Sequence, residues 1–247
     1  MIQSQYRPIK GDKMNIKTVL FDLDGTLLPM DQDIFVKAYF GGLSKRLAPI
    51  GYDPKALVGA IWQGTAAMVK NNGKKNNEAV FWDSFASVFG EKVYGDLSYF
   101  DAYYAEDFDS VKNVCGYDPA AAEAVKAIKA AGMRVALATN PIFPSVATEK
   151  RMAWAGFSPE DFEIFTTYEN SSFCKPNLDY YRSVLNELGA EPEECLMVGN
   201  DVREDMIAEK LGMKVFLITK CLINKDGEDI NKYPHGDFSD LISFLKI

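Results

Sequence analysis

Two carboxylates one residue apart, Asp22 and Asp24, follow the short apolar run Thr18 to Phe21, and Gly25 and Thr26 follow them. The run is β-branched and aromatic with no turn residue inside it, so it predicts a buried strand. Left bare, the two acids would repel each other. A cation between them relieves the repulsion, and an all-oxygen donor set of this kind suits Mg²⁺. Thr139 and Asn140 close a second apolar run that begins at Arg134. A hydroxyl and a backbone N–H at such a place can hold a phosphoryl oxygen without adding charge. Lys175 stands directly before Pro176 and a predicted helix, and Gly199-Asn200-Asp201 ends a further apolar run, with Asp205 four residues on.

The elements that must carry these residues alternate. Strands are expected over Thr18–Phe21, Arg134–Ala138, Phe162–Thr166, Cys195–Val198 and Lys214–Ile218. Helices are expected from Asp118-Pro119, over Ser145–Ala155, Leu178–Leu188, Glu204–Leu211 and Phe238–Leu245. This order implies an α/β fold with a parallel sheet and right-handed crossovers. Chemistry in open sheets of this kind sits beyond the carboxyl ends of the strands, which is where the residues above fall. From about residue 30 to 112 the strand signals fade. Helix starts stand there at Asp31, at Asp53-Pro54 and at Asn76 or Asn77, and a fourth helix is expected from about Leu97 to Phe108. Helical spacing assigns Trp62, Met68, Phe81, Trp82, Phe85, Tyr103 and Tyr104 mainly to the core of that helical bundle.

Asp22-Leu23-Asp24-Gly25-Thr26 resembles the first motif of the haloacid dehalogenase superfamily, Asp-x-Asp-Gly-Thr/Val after a hydrophobic strand, with no departure. Thr139 matches that family's second motif and Lys175-Pro176 its third. The fourth motif departs from the usual Gly-Asp: Asn200 follows Gly199 and Asp201 comes one residue later. The resemblance covers Thr18 to Ile218. It implies a Rossmann-like, doubly wound core over 14–29 and 113–247, a helical C1-type cap over 30–112, and a flexible lead over 1–13.

The resemblance also implies roles. Asp22 is the expected nucleophile, forming an aspartyl-phosphate, and Asp24 the general acid and base. Thr139, Asn140 and Lys175 hold the phosphoryl oxygens, Lys175 as a point charge. Mg²⁺ is the expected cofactor, bound by Asp22, by the backbone carbonyl of Asp24 and by Asp201. The departure at Gly199 leaves open whether Asn200 or Asp205 also reaches it. Asp205 is expected to orient waters or Lys175, or else to be a solvated or capping acid. The implied activity is hydrolysis of a small phosphomonoester. Asp24 argues against the dehalogenase branch, since halide leaves without a proton. Nothing marks Lys37, Lys45 or Lys70 as a Schiff-base lysine. A phosphomutase of the β-phosphoglucomutase kind shares these core residues and is the alternative. A non-catalytic phosphate-binding protein should have lost Asp22, Asp24 or Lys175.

Composition narrows the partners. A formal net charge of −8 and the lack of a dense basic stripe argue against nucleic acid. No apolar run is long enough to span a membrane. The four cysteines form no Cys-x-x-Cys pair and read as reduced thiols of a cytoplasmic protein. His235, the only histidine, lies in an expected exposed turn, so a Ser-His-Asp triad or a histidine-rich zinc site is disfavoured.

Overall fold

The computed structural model describes residues 15–247, and the expected lead over 1–13 lies outside them. Strands β1 (Thr18–Phe21), β2 (Arg134–Leu137), β3 (Cys195–Gly199), β4 (Lys214–Ile218) and β5 (His235–Gly236) form one sheet in the order β2-β1-β3-β4-β5. Every adjacent pair is parallel. β1 is flanked on both sides: Phe21 is in register with Leu137 of β2 and with Val198 of β3.

The helices run in order α1 (Gln32–Leu47), α2 (Pro54–Val69), α3 (Asn77–Phe89), the short α4 (Lys92–Gly95) and α5 (Leu97–Ala102). After these come α6 (Pro119–Ala130), α7 (Ser145–Trp154), α8 (Leu178–Leu188) and α9 (Phe238–Leu245). Their starts are set locally. The side chains of Asp31, Asp53, Asn76, Asp118, Asn177 and Asp237 each accept a backbone N–H of the first turn. A cap of this kind contributes about 1 kcal/mol.

Side chains alternate across each strand, and the two faces enter two apolar clusters. Val19, Phe21, Val135, Leu196 and Val198 pack with α6, α7 and α9. Leu20, Ala136, Met197 and Leu217 pack with α8 and the turn that follows β3. The first cluster continues into the helical segment through Phe35, Tyr39 and Leu43 of α1. The sheet is therefore covered on both faces, as expected for a doubly wound fold.

Four local expectations are corrected. Phe162–Thr166 runs beside β2 but forms only a bridge at Phe165. The Asn170 side chain donates to the Phe165 carbonyl and accepts from the Thr167 N–H, which turns the chain away from the sheet. The helix from Leu97 stops at Ala102, and a π turn over Tyr103–Asp107 leads into a 3₁₀ stretch, Phe108–Val114. The wider turn brings Tyr103 and Phe108, both fully buried, to the same side. The helix expected from Glu204 begins only at Met206 and is 3₁₀. Asp201 Oδ1 accepts from both the Arg203 and Glu204 N–H groups and closes a side-chain turn instead. His235 is half-buried in β5, pairing beside Leu217, with its Nδ1 2.9 Å from the Tyr233 carbonyl. Among the described residues, no helix is long and apolar enough to cross a membrane.

Candidate active site

Asp22 follows directly on β1, and its N–H still donates to the Val198 carbonyl, so the strand pairing carries it to the carboxyl end of the sheet. The Ala138 N–H donates to the Phe21 carbonyl and brings the end of β2 alongside. Asp22 is 7% exposed. Its two oxygens are held by different neighbours. Lys175 Nζ donates to Oδ1 at 3.0 Å, and Thr26 Oγ1 lies 3.1 Å from Oδ2.

Lys175 is 1% exposed and also donates to Asp205 Oδ1 at 2.7 Å. Burial works against the ammonium charge, but the Asp205 and Asp22 carboxylates outweigh it and hold Lys175 well above its ordinary value. The lysine is thus a fixed cation. Asp205 is itself placed by the Asp201 N–H, which donates to its Oδ2 at 2.9 Å. Gly199 makes room for this arrangement: a Cβ there would lie 2.1 Å from Asp205 Oδ2.

Asn200 is 1% exposed and turned inward. Its Oδ1 lies 3.0 Å from Thr26 Oγ1, and its Nδ2 donates to the Cys221 carbonyl. It buttresses the turn after β1. Gly25 at φ +89° packs against it, and a Cβ would fall 2.2 Å from Asn200 Nδ2, so no other residue fits this turn without strain. Thr139 is buried, and its carbonyl accepts from the Tyr180 and Thr166 hydroxyls at 2.8 and 2.7 Å. That clamp fixes the end of β2 and leaves the Thr139 hydroxyl out of it.

Asn140 Nδ2 donates to Glu204 Oε2 at 2.9 Å, while Asn140 Oδ1 is buried with no partner. Burial pushes the Glu204 carboxyl up to about 7, with Lys175 opposing. Glu204 is a site neighbour that sequence reasoning missed, because it sits among other acids in what reads as a solvated helix start.

Asp24 stands apart from the Asp22–Lys175–Asp205 chain. Its Oδ2 pairs with Arg151 of α7, and its Oδ1 is buried without a partner. Burial raises its carboxyl above the usual range and Arg151 opposes the rise. Arg151 is a second residue that the sequence did not mark. The available signal was register: it shares the buried side of α7 with Ala147, Thr148 and Met152.

Among the described residues, no three acidic, imidazole or thiol side chains gather as a metal cage. Of the donors expected from the sequence, the Asp24 carbonyl accepts no backbone hydrogen bond among the described residues, while Asp201 Oδ1 already accepts from two N–H groups; the Asp22 carboxylate completes the expected set. All are oxygens and few, which fits Mg²⁺, an ion that keeps several waters and takes one or two carboxylates. The aromatic residues of α1, α2, α3 and α5 are mostly core. Several of them also line a cavity of about 90 Å³ shared with Phe143 and Pro144, on the loop after β2, and with Tyr168.

Comparison with known proteins agrees with this fold. Residues 16–211 match the family described as haloacid dehalogenase-like hydrolase. The pyrophosphatase PpaX of Halalkalibacterium halodurans is 25% identical over 213 residues, covering 86% of this chain and 88% of that protein. The structure of CbbY from Rhodobacter sphaeroides in complex with phosphate covers 94% of this chain and 100% of that one, with a TM-score of 0.57 and 19% identity. The hydrolase YfnB of Bacillus subtilis, bound to magnesium, covers 94% and 99%, with a TM-score of 0.55 and 17% identity. With the family matched over most of its length, the chain belongs to the haloacid dehalogenase-like hydrolases, and it is an enzyme of that family.

Proposed function

We propose that this enzyme is a phosphatase that cleaves a small phosphomonoester through a covalent intermediate on Asp22. The observation that carries the reading is the buried Lys175 held between Asp22 and Asp205 at the strand ends. A fixed cation beside a carboxylate steadies both the nucleophile and the charge of a transferring phosphoryl group. An oxygen of Asp22 attacks phosphorus as the bond to the leaving oxygen breaks, and Asp24 gives that oxygen a proton. Water then attacks phosphorus, Asp24 takes its proton, and the bond to Asp22 breaks. Thr139 and Asn140 border the same strand end and are assigned to the phosphoryl oxygens.

Mg²⁺ is the proposed cofactor, held by Asp22, the Asp24 carbonyl and Asp201. When bound it would neutralise phosphoryl charge. The names of the relatives point the same way: one is a pyrophosphatase, one holds phosphate and one holds magnesium. The segment 30–112 is proposed as a cap over the core. Its two connections run side by side, with Met30 bridged to Cys115 and the Gly116 N–H donating to the Pro29 carbonyl. A paired linker of this kind suits closure over the site. Four free cysteines fit the cytoplasmic setting.

The test is release of inorganic phosphate from an aryl phosphate, with Mg²⁺ and with excess chelator. Metal-dependent release is expected. Equal release in chelator would remove the metal from the proposal, and no release under either condition would remove the phosphatase reading.

A further inference from the structure

Arg151 has no place among the family motifs found in the sequence, yet it touches one of their acids. It is 1% exposed and lies on the buried side of α7. Its Nη1 pairs with Asp24 Oδ2. Its Nε donates to the Ala147 carbonyl at 3.2 Å, and its Nη2 to Thr148 Oγ1 at 3.2 Å. Thr148 is fixed in turn, since its hydroxyl donates to the Pro144 carbonyl at 3.3 Å. The guanidinium carbon lies 4.4 Å from the centre of the Phe143 ring.

These contacts decide how the arginine can meet the acid. A guanidinium often grips both oxygens of a carboxylate through parallel N–H groups. Here Nε and Nη2 each donate to α7 and only Nη1 meets the acid, so one carboxylate oxygen is held and the other is not. The free one, Asp24 Oδ1, is buried and has no hydrogen-bond partner. A buried ion pair contributes little to stability compared with apolar residues of similar volume. Core packing by itself therefore gives no account of an arginine at this place.

Resting on the phosphatase reading above, we propose that Arg151 is a positioning residue: it anchors Oδ2 of Asp24 and so presents Oδ1 as the oxygen that hands over and takes back the proton. With a cation on Oδ2, the carboxylic acid proton sits on Oδ1. It passes to the leaving oxygen as the phosphorus–oxygen bond breaks and the bond from phosphorus to Asp22 forms. In the second half, Oδ1 accepts a proton from the attacking water as the bond to Asp22 breaks. One oxygen performs both transfers, without rotation of the carboxyl group. Arg151 could instead grip an anionic leaving group, such as the second phosphate of inorganic pyrophosphate. Its burial and its pairing with Asp24 speak against that use.

The two roles separate by leaving group. A proton on the leaving oxygen matters for an alkyl phosphate and hardly at all for 2,4-dinitrophenyl phosphate, whose phenolate departs unaided. General acid catalysis contributes about 10²- to 10⁴-fold. In Arg151→Met, which keeps a stem against Phe143, kcat/KM, which reports only the half-reaction in which the leaving group departs, should fall at least tenfold more for an alkyl phosphate than for the dinitrophenyl ester. Asp24→Asn should show the same contrast, and the double variant should add little to it. Equal losses of kcat/KM on all esters would overturn the proposal. So would a rise in KM confined to pyrophosphate, which would mark Arg151 as a leaving-group ligand. If Arg151→Met does not melt cooperatively, Thr148→Val, which frees one guanidinium donor, should give the same contrast at smaller size, and its absence would overturn the proposal equally. A wild-type enzyme that releases no phosphate from any of these esters would overturn the phosphatase reading first, and this inference with it.

Discussion

The strand-end site and the aromatic core of the helical segment 32–114 are both buried, and they are held by opposite means. At the strand ends, functional groups are tied by charges and hydrogen bonds between single atoms: Asp22 to Lys175, Lys175 to Asp205, Asp24 to Arg151. In the helical segment, rings hold rings. Phe85 lies within 5.0 to 5.6 Å of the centres of Phe81, Trp82, Phe89 and Phe100, in stacked, tilted and edge-on arrangements. Ring packing is tolerant of small slips, and bonds to single atoms are not. Chemistry is therefore expected to depend on the first region, and stability on the second.

The strongest challenge to that division is Asp22→Asn. The amide oxygen keeps an acceptor for Lys175, and the amide NH2 faces the Thr26 hydroxyl, which still has Asn200 Oδ1 to donate to, so the fold should survive, while the nucleophile is gone. Turnover should drop by about 10³-fold or more, with an unchanged melting temperature; retained turnover would take the nucleophile role away from Asp22. Phe85→Ala is the mirror experiment. Removing a fully buried ring from this cluster should cost about 3–5 kcal/mol in a denaturant titration, with kcat on a small aryl phosphate nearly kept. A large fall in kcat with little loss of stability would show that the ring cluster serves the chemistry after all.

The smallest expected effect sharpens the comparison within the helical segment. Asp96 accepts from Lys92 Nζ and from the Tyr52 hydroxyl, each at 2.9 Å. The bond from Lys92, and then that from Tyr52, lower its carboxyl below the ordinary 3.8. The folded chain then binds this proton less readily than the unfolded one. Its contribution is present above 3.8 and is lost as pH falls through the folded value. Melts of wild type and Asp96→Asn should therefore differ at pH 7 and converge as pH falls below 3.8. A constant difference across that range would mean the charge of Asp96 does not matter to the segment.

Much of this fold is readable because its signals are local. Asp53-Pro54 and Asp118-Pro119 combine a side-chain acceptor with a proline whose missing N–H costs nothing there, and both start helices as expected. β1, β2, β3 and β4 are apolar runs bounded by turn residues, and they stand where expected to within a residue. The misses are cases where a side chain overrides the local pattern. Asn170 takes the backbone of Phe165 and Thr167, and Asp201 takes the N–H groups of the next turn. Asp22, Lys175 and Asp205 could be named from the sequence, but the order of their contacts could not, because it depends on Gly199 leaving space for a carboxylate. Arg151 lacks even that signal. An arginine on a helix normally faces water, and only its alignment with Ala147 and Thr148 sets it among buried residues.

The place of β1 between β2 and β3 has a consequence for how the chain assembles. Thr18 is in register with Arg134 on one side and Cys195 on the other, so β1 precedes both of its neighbours in the chain and stays open on one edge until β3 is made. The contacts between α2 and α3 close over far shorter stretches of chain. Loop closure and sequence separation govern the speed of such steps. The aromatic helices can condense while the nucleophile's strand still waits for its neighbours, and the two aspartates come into position only when the ribosome has delivered β3.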